Sequence, residues 1–68
     1  MADITLIQRV AYYEAIARRY MDMHDLTRPD GNTVLEVMQL AEAEGNQLDA
    51  DAAAEAIRLL IEEAIVVI

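Results

Sequence analysis

Sixty-eight residues with 56% apolar content, thirteen carboxylates, five arginines and a net charge of −8 describe one small acidic domain and no more. The chain has no Cys, so disulfides and cysteine zinc sites are excluded. The absence of Ser as well removes the classical Ser and Cys nucleophiles. An excess of acid opposes ordinary binding to nucleic-acid phosphate and to anionic membranes.

The N-terminus, Met1 to Ile4, shows no basic stretch followed by an apolar run, so no secretory leader is expected. The longest apolar run, Ala64 to Ile68, is far short of the ~20 residues that a membrane span needs. A cytoplasmic location is the matching expectation. So short a chain buries a modest core, and its apolar surplus has to be covered by a second copy or a larger partner.

The first helix is predicted from about Leu6 to Asp25, with Thr5 and Gln8 forming a capping box. Leu6, Val10, Tyr13, Ala17, Tyr20, Met21 and His24 share one side at helical spacing and are the expected core face. Beside them Tyr12, Ile16 and Met23, with Arg9 and Arg19 close by, widen the apolar arc to about half the circumference. Tyr, Arg and Met are types enriched at binding hot spots, so Arg9, Tyr12, Ile16, Arg19 and Met23 are the candidate partner-binding residues.

Residues 27–32, with Pro29 and Asp30-Gly31, break the chain into a turn. Thr33 and Glu36 then offer a second capping box for a short middle helix ending near Glu44, with Gly45 at its C-terminal end. Asp49 is the expected cap of a third helix running from Ala50 to about Val66. In it Ala53, Ile57, Leu60, Ile61, Ala64, Val67 and Ile68 form a broad apolar face, and Glu55 can pair with Arg58 on the opposite one. The β-branched residues 65–68 leave a short C-terminal strand as the alternative to continued helix.

Leu40, Leu59 and Val66 fall near the polar backs of their helices, which points to a further apolar patch. Leu59, Leu60, Val66, Val67 and Ile68 are the candidate self-association residues. The fold class is therefore all-α, a two- to three-helix bundle built as a helical hairpin with a short middle helix, expected to homodimerise.

No residue set here reads as catalytic, cofactor-binding or metal-ligating. His24, the only histidine, sits near a helix end among carboxylates and reads as a dipole partner or packing residue. Thr5, Thr27 and Thr33 are explained by caps and turns. The loop Asp30 to Thr33 lacks the alternating acids and the distal Glu of a calcium-binding loop. With only Gly31 and Gly45 there is no phosphate loop, so an enzyme is not expected.

Gln47, Leu48, Asp49, Ala50 and Asp51 resemble the turn of the small dimeric helical-hairpin RNA-binding proteins that control plasmid copy number. That family contacts RNA through cationic and polar helix positions. The only cation here after Arg28 is Arg58, so the RNA function does not follow. In size, acidity and helical character the chain also resembles small phage-encoded inhibitors of host proteins, such as anti-activators and anti-CRISPR proteins. That resemblance implies a regulator or inhibitor acting by covering a partner's surface.

The alternative is an acidic nucleic-acid mimic, using Glu36, Glu42, Glu44, Asp49, Asp51, Glu55, Glu62 and Glu63 to occupy a basic cleft. A structural subunit of a larger helical assembly is a third expectation.

Overall fold

A computed structural model describes residues 4–65. Three helices follow one another: α1 (Ile4–Met23), α2 (Gly31–Glu44) and α3 (Gln47–Ile65), and no strand occurs among the described residues. Residues Val66, Val67 and Ile68, where most of the alternative terminal strand was expected, lie outside the described residues; Ile65 is helical.

The helices run up, down and up. Arg9 bonds Asp49 and Arg18 bonds Glu63, so α1 and α3 advance in the same direction and share the broadest contact. Glu36 lies near residues 16–24 and Glu44 near residues 5–12, so α2 runs antiparallel to α1.

Tyr13, Ala17, Met21, Val37, Ala41, Ala52, Ala53, Ala56, Ile57 and Leu60 form the core. Half of these ten are Ala, so the helices pack through a seam of small side chains and need few large ones to fill the space. With no Phe or Trp in the chain, Tyr13 is the largest fully buried side chain. Leu6, Val10 and Ile16 pack on the margin of this core, whereas His24, expected within it, is exposed. Its ring lies over Tyr20, with centroids 4.2 Å apart.

All three helix starts differ from expectation. α2 is capped by Asp30, whose Oδ1 accepts the Thr33 amide at 2.8 Å while Thr33 Oγ1 accepts the Asp30 amide at 3.3 Å. The capping box is thus three residues earlier than the Thr33/Glu36 box, and Thr33 becomes a buried residue of the first turn. A carboxylate is the stronger cap here because it also meets the positive end of the helix dipole. Those bonds hold the Asp30 carboxyl below its usual range. Likewise α3 is capped by Asn46, which accepts the Asp49 amide at 2.8 Å, and so begins at Gln47 instead of Ala50. Thr5, expected to cap α1, lies inside it. Gly45 ends α2 in the left-handed conformation, φ 74°, as its position predicted.

α1 ends earlier than expected, at Met23, through an unusual residue for the role. Asp25 has φ 58°, and the Leu26 amide reaches back to the Met21 carbonyl at 2.8 Å. That return bond places Leu26 against the core. A non-glycine residue in this conformation costs about 1 kcal/mol, and a carboxylate at the negative end of the dipole adds to the penalty. Asp25→Gly is therefore expected to stabilise the fold by about 0.5–1 kcal/mol. A chemical denaturation curve with a higher midpoint and unchanged slope would show it; an unchanged or lower midpoint would refute it.

Candidate protein-binding surface

The polar side chains of α1 divide into those used inside the fold and those left over. Asp49, in the first turn of α3, is buried and turns its carboxylate to α1. Tyr13 Oη donates to its Oδ2 at 2.7 Å, and Arg9 Nε donates to Oδ1. The bond from Tyr13, then Arg9, holds the Asp49 carboxyl below its usual range, while burial followed by Asp49 itself pushes the Tyr13 phenol up. These shifts make the carboxylate a weaker base and the phenol a weaker acid. The arrangement is chemically a tie that fixes α1 on α3, with no buried polar side-chain atom left unpaired among the described residues.

Arg18 reaches from α1 to Glu63 at 2.8 Å and also to Glu14, a bonding that holds Glu63 below its usual range. On α3, Arg58 pairs with Glu55, as the spacing predicted, and with Glu62. Arg9, Arg18 and Arg58 are thus engaged internally, whereas Arg19 has no ion-pair or hydrogen-bond partner among the described residues.

The same arginines neutralise part of the acidic face. Of its eight carboxylates, Asp49, Glu55, Glu62 and Glu63 are taken by arginines of this chain. The other four, Glu36, Glu42, Glu44 and Asp51, make no ion pair among the described residues. A mimic of a phosphate backbone needs the opposite arrangement, with its charges unneutralised.

Apolar surface remains on both flanks of α1, besides the exposed Leu35 of α2 and Ile61 and Ile65 of α3. Towards α2, Ile16, Arg19, Tyr20, Met23, His24 and Glu36 line a groove, and a second groove, bordered by Arg9, Tyr12 and Glu44, lies at the other end. Glu36, Leu40 and Glu44 recur at every fourth residue, which puts Leu40 on the strip of α2 that borders these grooves. Tyr12 is 62% exposed, Met23 73% and Leu40 40%. Towards α3, Leu6, Ile7, Val10 and Leu59 line a groove of about 500 Å³ with Asp51 and Glu55 at its rim.

The candidate partner-binding residues are therefore only partly one surface. Tyr12, Arg19 and Met23 stand exposed, Ile16 forms a half-buried floor, and Arg9 is held by Asp49. The self-association set separates further. Leu60 is 4% exposed and belongs to the core, Leu59 is half-buried in the α1/α3 groove, and Val66, Val67 and Ile68 lie outside the described residues. Leu60 was placed on both the core face and the self-association set, and helical packing assigns it to the core alone.

Sequence spacing marked Leu40 as misplaced but did not connect it with α1. Asp49 was missed as an inward-facing group, although an Asn three residues before an Asp is itself a capping pattern that frees the Asp.

No group of three or more potential metal ligands occurs among the described residues, and no helix there is long and apolar enough to cross a membrane. No protein-family model matches the chain, and no curated protein or solved structure matches it significantly.

Proposed function

We propose that this chain is a non-enzymatic protein-binding module that acts by covering part of another protein chain, regulating or inhibiting it. The observation that carries this reading is the α1/α2 face, where Tyr12, Leu40 and Met23 stand exposed around an uncommitted Arg19. Large apolar side chains clustered beside a free guanidinium match the composition of binding hot spots. A solvated helix pair has no use for Leu40 and Met23, and Tyr12 touches the core only through an edge contact with Tyr13, ring centroids 5.1 Å apart. Homodimerisation belongs to the same reading, since a second copy is the nearest source of apolar cover.

Tyr12→Ala with Met23→Ala is expected to leave helicity unchanged and to lower Tm by only several degrees, from loss of the Tyr12–Tyr13 ring contact, while removing the proteins that the tagged chain retains from lysate of its own host. Equal recovery by both forms, identified by mass spectrometry, would contradict the assignment. The mimic reading has less support, because half of the carboxylates it needs are internally paired.

A further inference from the structure

We infer that Asp30–Gly31 is a covalent modification site, where the backbone rearranges through a succinimide to isoaspartate whenever the first turn of α2 opens. The inference is independent of the protein-binding reading and of the surface that carries it.

Sequence confines the chemistry to one bond. The Gly31 amide nitrogen attacks the carboxyl carbon of the Asp30 side chain, and a C–N bond forms. One water leaves, made of the carboxyl OH and the amide proton. A second water then opens the five-membered ring. Opening at the side-chain carbonyl regenerates Asp30, whereas opening at the main-chain carbonyl leaves isoaspartate, with the chain running through Cβ. Water is the only other reactant. A side chain on the following residue obstructs the attack, and Asp30 is the one aspartate followed by Gly; neither Asn32 nor Asn46 is. Asp30 and Gly31 are exposed, and nothing lies within 4 Å of where a Gly31 Cβ would stand. Water therefore reaches the bond freely.

Conformation is what holds the reaction back. Asp30 Oδ1 accepts the Thr33 amide at 2.8 Å and the Thr33 hydroxyl at 2.9 Å, which fixes the carboxyl over the first turn. Ring closure needs Cβ and the Gly31 nitrogen eclipsed about the Cα–C bond, and at ψ −176° they are staggered. The same bonds keep Asp30 ionised, whereas the neutral acid is the form that loses water. Thr33 is completely buried, so releasing the carboxyl means unwinding the turn and drawing Thr33 out of the core. The capping box is thus a chemical lock as well as a helix start. Isoaspartate has a main chain one carbon longer and a carboxylate one methylene shorter. The register to Thr33 is then lost, and the modified chain does not regain its cap.

The test is ageing of the full chain near neutral pH, natively and in urea. Isoaspartate is read by methyl transfer from S-adenosylmethionine with an isoaspartyl methyltransferase, and peptide fragmentation places the residue. Modification is expected at residue 30, about tenfold or more faster in urea than in the folded chain. Thr33→Val deletes the hydroxyl but keeps the branched shape. It is expected to speed the native reaction several-fold and to leave the rate in urea unchanged. Gly31→Ala is expected to suppress the reaction under both conditions without lowering Tm, since this helical position accepts a Cβ.

Equal rates in the folded chain and in urea overturn the lock. Isoaspartate at another residue, or undiminished formation in Gly31→Ala, overturns the site. Circular dichroism checks each variant, and if Thr33→Val does not fold, the contrast between native and urea rates of the wild type decides alone.

Discussion

Tyr13→Ala is expected to leave the chain largely unfolded at room temperature, with a helical circular dichroism signal reduced to that of a fraying peptide. The reason is one of scale. Truncating a large buried aromatic costs about 3–5 kcal/mol, and a core in a chain this short supplies only about 3–5 kcal/mol of net stability. Tyr13 is the largest fully buried side chain and also carries a hydrogen bond to Asp49.

Tyr13→Phe separates the two roles. It preserves the ring and is expected to fold, with stability lowered by about 1.5–3 kcal/mol, the usual range for a bond to a charged acceptor. A Tyr13→Ala protein that melts like the wild type would refute the account of the core.

The same pair has a pH signature at both extremes. Asp49 has a depressed folded pKa, so its contribution is complete above the unfolded value of about 4 and is lost as pH falls through the lower folded value. Tyr13 has a raised folded pKa, so its contribution is complete below the unfolded value of about 10 and is lost as pH rises through the higher folded value. Phenolate absorbance belonging to Tyr13, taken as wild type minus Tyr13→Phe, is therefore expected to appear only together with loss of helicity.

Ala56→Leu is the second change expected to have a large effect, this time by adding atoms. Ala17, Ala41, Ala52, Ala53 and Ala56 are all within 1% of complete burial, so the seam has no room for a longer side chain. Overpacking of this kind costs about 1–3 kcal/mol, and in a domain of this size each kcal/mol lowers Tm by roughly 4–8 °C. Ala54 lies on the same helix but is exposed, so Ala54→Leu is expected to shift Tm little. Thermal melts of the two variants that coincide would show that the seam is not closely packed.

Much of the fold was legible because it rests on local chemistry. Helical spacing identified Tyr13, Ala17 and Met21 on α1 and Ala53, Ile57 and Leu60 on α3 as inward-facing, and Gly45 announced the end of α2. The Glu55–Arg58 and Glu14–Arg18 pairs follow from separations of three and four residues.

The errors arose where several residues could perform one task. Asp30 and Thr33 can both cap α2, as Asn46 and Asp49 can both cap α3, and only the position of a distant helix decides between them. Asp49 is drawn inward by partners 36 and 40 positions earlier in the chain, Tyr13 and Arg9. No local pattern carries that information.

The candidate surface divided in the same way. Tyr12, Arg19 and Met23 were identifiable from one helix, but the face they help to form includes Leu40 and Glu44 of α2. Its composition depended on how the two helices were set together. Arg9 matched Arg19 in type and neighbourhood, and only the buried carboxylate opposite it engages its guanidinium within the fold.

A core half of alanine, with Tyr13 its largest member, satisfies the inside of this molecule, and several large apolar side chains are left exposed on the flanks of α1. The most direct test of that division is amide chemical-shift mapping across a dilution series. Shifts confined to residues around Tyr12, Arg19 and Met23 on α1 and around Leu40 and Glu44 on α2 are the expected result. A spectrum that does not change on dilution, or shifts centred on the outer side of α3, would contradict it.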